Sequence, residues 1–167
     1  EIYKTKEIII GFDEAGKEEA IGDMVLGSVY LHKEKLPLFA NLKSDIKSLT
    51  LKELSYWCKV IKDNGIRFEY EIVSAMKISN SPFIINRQMD QDYVTLIRKY
   101  SGILNKYCIL AIDDYNIQDE LKTYLSNLKK NGVESIVGNR MDENITATKL
   151  ASVIARHIRL TNTEFLE

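Results

Sequence analysis

Cysteine is scarce in this chain of 167 residues, which has two, Cys58 and Cys108. Cys58 sits beside Trp57 in a helical pattern and Cys108 inside an apolar strand pattern. The pair reads as two reduced, buried thiols and not as a disulfide framework. Histidine is equally scarce, and neither His32 nor His157 has a Cys or His partner at zinc spacing. Each reads as a surface or packing residue. No apolar run approaches the ~20 residues that a membrane span needs. Glu1 to Glu7 alternates charged and apolar residues and lacks the apolar stretch of a signal peptide, so a cytoplasmic chain with no membrane partner is expected. No charge sign dominates either: the net charge is −1, which argues against a broad basic surface and leaves room for a small basic patch. Repeats, low-complexity tracts and internal linkers are also lacking. One domain over residues 1–167 is expected at this length.

What is present alternates between two periods. Glu7 to Phe12 is a near-continuous apolar run ending at Asp13, as in a strand buried on both faces. Met24 to Leu31 follows as a second strand after a Gly22-Asp23 turn. Lys33 to Leu49 is irregular and holds Pro37. Thr50 caps a helix to about Asp63, with Glu53 completing a capping box, and Asn64-Gly65 stops it. Arg67 to Ser74 alternates with the period of a half-buried strand. A loop at Ser79 to Pro82 precedes a helix over about Asn86 to Leu104. Tyr107 to Ile112 is an apolar strand ending at Asp113. Asn116 caps a helix to about Lys130, Val133 to Val137 is the last strand, and a final helix spans about Asn144 to Arg159. Its apolar residues Ala147, Ala151, Ile154 and Ile158 share one face. An early hairpin followed by strand–helix–strand–helix order predicts an α/β fold with a mixed central sheet flanked by helices.

Acidic residues recur where apolar segments end: Asp13-Glu14, Asp113-Asp114 and Asp142-Glu143. Ligands of open α/β sheets sit beyond the carboxyl ends of strands. Carboxylates gathered there repel one another unless a cation joins them. Oxygen ligands without Cys or His favour hard ions such as Mg²⁺ or Mn²⁺. Adjacent strand residues point to opposite faces, so Asp13 and Glu14 can meet one ion only if the strand bulges or ends there, and Gly16 supplies a break. The plainer readings stand beside this one. Asp142 can cap the last helix, Asp113-Asp114 can be a polar strand end, and Asp13-Glu14 can open a turn.

The motifs resemble those of the type 2 ribonucleases H, the ribonuclease HII and HIII family. Gly11-Phe12-Asp13-Glu14-Ala15-Gly16-Lys17 with Ile21-Gly22 is similar to the opening DEAGRG…IGP signature. Asp45-Ile46-Lys47-Ser48-Leu49-Thr50 resembles the DSKKLT segment. Ala111-Ile112-Asp113 and Arg140-Met141-Asp142-Glu143-Asn144 resemble the stretches carrying the third and fourth acids, and Ala151 to Arg156 resembles the ASIIAK helix. The segments come in family order over nearly the whole chain. The resemblance implies a ribonuclease H-like fold with Asp13, Glu14, Asp113 and Asp142 as catalytic acids holding two Mg²⁺ or Mn²⁺ ions. It implies substrate contacts at Gly16, Lys17, Lys47 and Arg140. The substrate would be an RNA–DNA hybrid or a ribonucleotide-containing duplex.

The sequence also departs from that family. Glu18 stands where the second glycine of the GRG loop would let backbone approach the nucleic acid, and Glu19 follows it. Asp23 replaces a proline, Ile46 a serine, and Leu160 an aspartate. The helices that follow in other members, with their substrate-reading tyrosine, have no counterpart. Three functions therefore remain open: a ribonuclease of this class, a catalytically weak or inactive nucleic-acid-binding or assembly module, and a nuclease of the same fold acting on DNA. Tyr93, Leu96, Ile97 and Tyr100 read as helix packing, and Lys122, Lys129 and Lys130 as a solvated helix face.

Overall fold

The computed structural model describes residues 3, 5–17, 23–73 and 82–165, with the backbone alone at 82–84 and 162–165. Glu18, Glu19, Ile21, Gly22 and the loop at Ser79 to Ser81 lie outside the described residues.

Apolar strands form the centre. β1 (Ile8–Ala15) pairs antiparallel with β2 (Met24–His32), and β2 pairs antiparallel with β3 (Phe68–Val73). On the other side of β1, β4 (Cys108–Asp113) runs parallel to it and β5 (Glu134–Gly138) runs parallel to β4. The order is β3-β2-β1-β4-β5, the expected mixed sheet. The helices are α1 (Leu51–Asp63), α2 (Pro82–Arg98), α3 (Asp119–Lys130), α4 (Met141–Asn144) and α5 (Thr146–Phe165). No helix among the described residues is long and apolar enough to cross a membrane.

Strand alternation divides the core into two layers. Ile9, Val29, Leu31, Ile109 and Ala111 face α1 and α5, where Leu54, Trp57, Ile61, Leu150 and Val153 cover them. Ile10, Phe12, Leu26, Leu110 and Ile112 face α2 and α3, under Met89, Tyr93, Leu96, Leu121 and Leu125. Each such side chain fully removed from water contributes roughly 1.5–3 kcal/mol, so both layers are needed to hold the strands. Helix α5 crosses β1 and β2 at two glycines. A Cβ on Gly11 would overlap the Ala147–Thr148 backbone, and one on Gly27 would overlap the Ala151 carbonyl. The Thr148 hydroxyl, fully buried, donates to the Ala111 carbonyl.

Several boundaries differ from the sequence reading. Lys33–Phe39 and Ile46–Ser48 are 3₁₀ turns inside the segment read as irregular. Helix α2 begins at Pro82 and ends at Arg98, because Lys99 to Ile103 forms successive tight turns. Asn116 does not cap α3. It has a left-handed φ of 75°, and the Asp114 carboxylate accepts from the amides of Asn116 and Ile117. The cap comes from α2, where the buried Asp90 carboxylate accepts from the amides of Gln118 and Leu121. The final helix is two pieces, α4 and then α5 from Thr146. The capping box of α1 forms as expected, Thr50 and Glu53 satisfying each other's amides.

At the β3 edge of the sheet, Lys99 crosses the strand. Its ammonium donates to the Tyr70 carbonyl at 2.7 Å and pairs with Glu71 at 2.8 Å.

Candidate active site

β1 continues past the acids without a bulge. Its register with β2 is unbroken through Asp13↔Gly27, Glu14↔Leu26 and Ala15↔Val25. The strand ends one residue later, at Gly16, whose φ of 94° is accessible to glycine without strain. No bulge forms at Asp13-Glu14, and the break falls at Gly16, just after Ala15. Pairing with β4 stops at Phe12↔Ile112, so the two acids stand beyond the end of one neighbour while the other still supports them. Asp13 lies on the α5 face. Glu14 lies on the α2 face, where the buried Tyr93 hydroxyl donates to its Oε2 at 3.1 Å. The longer side chain of Glu14 still reaches the cleft that Asp13 lines.

Asp113 ends β4 opposite Gly138. Its Oδ1 accepts from the Met141 amide at 2.8 Å, which anchors the start of α4. Arg140 makes the corner with a left-handed φ of 57°. This corner carries Asp142 to the rim beside Asp113, so Asp142 stands in the first turn of α4 and does not cap the long helix.

All four acids line one cleft of about 240 Å³, together with Gly16, Lys17 and Lys47. Ser152 and Arg156, one turn apart on α5, complete its wall. Arg156 donates from Nη2 to the Lys47 carbonyl at 3.4 Å, which ties α5 to the 3₁₀ turn bearing Lys47. The Lys17 ammonium donates to the Tyr115 carbonyl at 2.8 Å. Arg140 is exposed and does not line the cleft. Ile46 is buried in the α1–α5 layer, so a side chain there turns away from the cleft.

The electrostatics follow from this crowding. Burial, and then the charges of Glu14, Asp113 and Asp142, push the Asp13 carboxyl well above the ordinary carboxylate range. Burial raises Glu14, while its contacts with Asp13 and Tyr93 act the other way. Burial and Asp142 raise Asp113 against the pull of the Met141 amide. Burial and Glu143 raise Asp142 against the pull of Lys47. No lysine or arginine among the described residues forms an ion pair with any of the four within 4 Å. This is an all-oxygen donor set whose own repulsion a hard cation would relieve. Among the described residues, no three Asp, Glu, His or Cys side chains stand close enough to enclose one ion. Chemistry therefore favours a divalent cation, and side-chain rotation has to bring the oxygens together around it.

Sequence reading named the four acids, Gly16, Lys17 and Lys47, which the cleft brings together, and Arg140, which it does not. It assigned no role to Ser152 or Arg156 and read Tyr93 only as helix packing. The signal for the first two was their i, i+4 spacing on α5. For Tyr93 it was a polar stripe, Asn86, Asp90 and Tyr93, on an otherwise apolar helix face.

Known proteins with these features are ribonucleases H. The family model described as Ribonuclease HII matches residues 10–167. Ribonuclease HII of Methanococcus maripaludis (strain C7) is 30% identical over 164 residues, covering 92% of this chain and 65% of its own length. The chain thus spans just under two thirds of that relative. The solved complex of PCNA with ribonuclease HII from Archaeoglobus fulgidus matches with a TM-score of 0.71 at 22% identity, covering 95% of this chain and 74% of that one. Bst ribonuclease HIII in complex with Mn²⁺ matches with a TM-score of 0.70 at 17% identity, covering 98% and 56%. The fold is accordingly ribonuclease H-like.

Proposed function

The chain belongs to the ribonuclease HII family, and we propose on that premise that it is a metal-dependent endonuclease hydrolysing RNA in RNA–DNA hybrids or at ribonucleotides in duplex DNA. One observation carries the reading: Asp13, Glu14, Asp113 and Asp142 crowd a single cleft beyond the ends of β1 and β4, with Lys17 and Lys47 at its margin. The all-oxygen chemistry of these four acids supports Mg²⁺ or Mn²⁺ as the cofactor, two ions being the reading, and the four would hold them once their side chains turn toward one another. Such ions, when bound, supply an activated water and neutralise charge on the leaving 3′ oxygen.

The other roles belong to side chains and backbone of this chain. Asp13, buried among the other three acids, would hold metal together with its neighbours. Asp113 both offers a carboxylate oxygen and pins the α4 corner, so that Asp142 keeps its place at the rim. Lys17 and Lys47 offset phosphate charge along the strand. Gly16 presents backbone with no side chain where a 2′-hydroxyl would be read, the contact by which a protein distinguishes RNA from DNA. Arg140, exposed at the corner, is assigned to phosphate farther along the duplex.

Cleavage of a labelled RNA–DNA hybrid with Mg²⁺ or Mn²⁺, against EDTA and the Asp13→Asn variant, tests the reading. Cutting that requires both the metal and Asp13 is expected. Wild-type-like cutting by Asp13→Asn would sink the assigned site. A non-catalytic binding module is the second reading, favoured because the carboxylates do not close on one point. Hybrid binding unaffected by EDTA, without cutting, would select it.

A further inference from the structure

We infer that Tyr93 is a positioning residue for Glu14, holding its carboxylate at the cleft from the opposite face of the sheet. The inference rests on the metal-dependent reading above. Strand alternation sends Glu14 toward α2, into the layer that holds Phe12 and Met89, where the Tyr93 hydroxyl meets it. A glutamate there has three rotatable bonds, and the Tyr93 hydroxyl is the partner that fixes them, at 3.1 Å from Oε2.

The hydroxyl is itself fixed. Tyr93 is fully buried, and its ring stacks on Tyr115 with centroids 5.0 Å apart and planes at 5°. Phe12 packs edge-on against it. Tyr115 cannot slide, because its hydroxyl donates to Asp90 at 2.7 Å and its carbonyl holds Lys17. Asp90 is in turn committed to the α3 amides. The stack therefore transmits the rigidity of α2 and α3 to one carboxylate oxygen. Partners that orient a ligand in this way affect metal affinity about 10- to 100-fold when removed.

The test is Mn²⁺ binding, followed by calorimetry and by electron paramagnetic resonance of the free ion, in wild type, Tyr93→Phe, Glu14→Gln and the double variant. Tyr93→Phe keeps the ring, the stack and the edge contact. It should weaken Mn²⁺ binding about tenfold, and higher Mn²⁺ should restore cleavage with KM for the hybrid unchanged. In the Glu14→Gln background the same change should have no further effect. Tyr115→Phe keeps the stack and the direct Tyr93–Glu14 bond but loses the Asp90 bond that restrains the stack, so it should lower the melting temperature and weaken Mn²⁺ binding by clearly less than Tyr93→Phe does.

Wild-type Mn²⁺ binding with Tyr93→Phe unchanged would overturn this inference alone. So would an equal loss in Tyr115→Phe, or a loss that persists without Glu14, because either means general loosening. A wild type that binds no Mn²⁺ would overturn the metal-dependent reading and this inference with it.

Discussion

Replacing Asp90 with alanine tests the structural logic where its cost can be worked out. The carboxylate accepts from the Tyr115 hydroxyl at 2.7 Å, the Gln118 amide at 3.1 Å and the Leu121 amide at 3.0 Å, with no exposure to water. Alanine leaves two buried donors and a half-buried one, the Gln118 amide, without their acceptor. Each unsatisfied buried donor costs about 1–3 kcal/mol, and the α3 N-terminus also loses a charge interaction of about 0.3–1 kcal/mol. These costs share one cavity, which water can enter, so they do not add in full. With partial overlap of these costs, the expected loss is about 3–5 kcal/mol. At about 2–4 °C per kcal/mol for a chain of this size, the melting temperature should fall by roughly 6–20 °C. Asp90→Asn keeps an acceptor oxygen but presents an amide to one of the donors, so its loss should be about half. Calorimetry and urea unfolding in EDTA measure both without metal effects. An Asp90→Ala protein melting within about 2 °C of wild type would refute the remote cap.

Two further outcomes follow from the geometry. Gly11→Ala places a methyl inside the Ala147–Thr148 backbone and forces α5 outward, which should cost about 3 kcal/mol or more. Because α5 carries Ser152 and Arg156, hybrid affinity should fall with stability; unchanged urea midpoints would mean that the helix does not rest on the strand. The metal-free protein should also lose stability as pH rises above about 4. Asp13, Glu14, Asp113 and Asp142 are all held above their ordinary values, so the fold favours their protonated forms. That contribution is complete below the unfolded carboxylate values near 4 and disappears as pH climbs through the raised ones. His157, lowered by burial, acts in the opposite sense, so the slope is best read in a His157→Gln background. A flat or rising urea midpoint there would contradict the crowding.

Local marks in the sequence located the strands and most helices because each depends on near neighbours. The Ile8-Ile9-Ile10 run needs two covered faces, and Thr50 with Glu53 closes its own capping box. The start of α3 escaped because its cap is supplied by Asp90, distant in sequence, while Asn116 merely looked like a local one. Asp13, Asp113 and Asp142 were legible as strand ends and a helix mouth. The way Asp13 and Glu14 share one cleft was not, since backbone alternation predicted a bulge or strand end there and side-chain length resolved the conflict instead. Tyr93 reads as packing, and it does pack; only the third dimension shows where its hydroxyl points. Gly11 and Gly27 likewise look like weak spots in buried strands until α5 is laid over them.

The ammonium of Lys99 on the outer edge of β3 bears on how this protein behaves among copies of itself. An incoming strand would seek the Tyr70 carbonyl, which already has a donor at 2.7 Å. It would also have to strip that lysine from Glu71 and bury the charge between two backbones, an unfavourable exchange. The sheet is therefore guarded on that side against growing into a larger one. Neutralising Lys99 would leave the acidic cleft untouched while making concentrated solutions prone to strand-to-strand association.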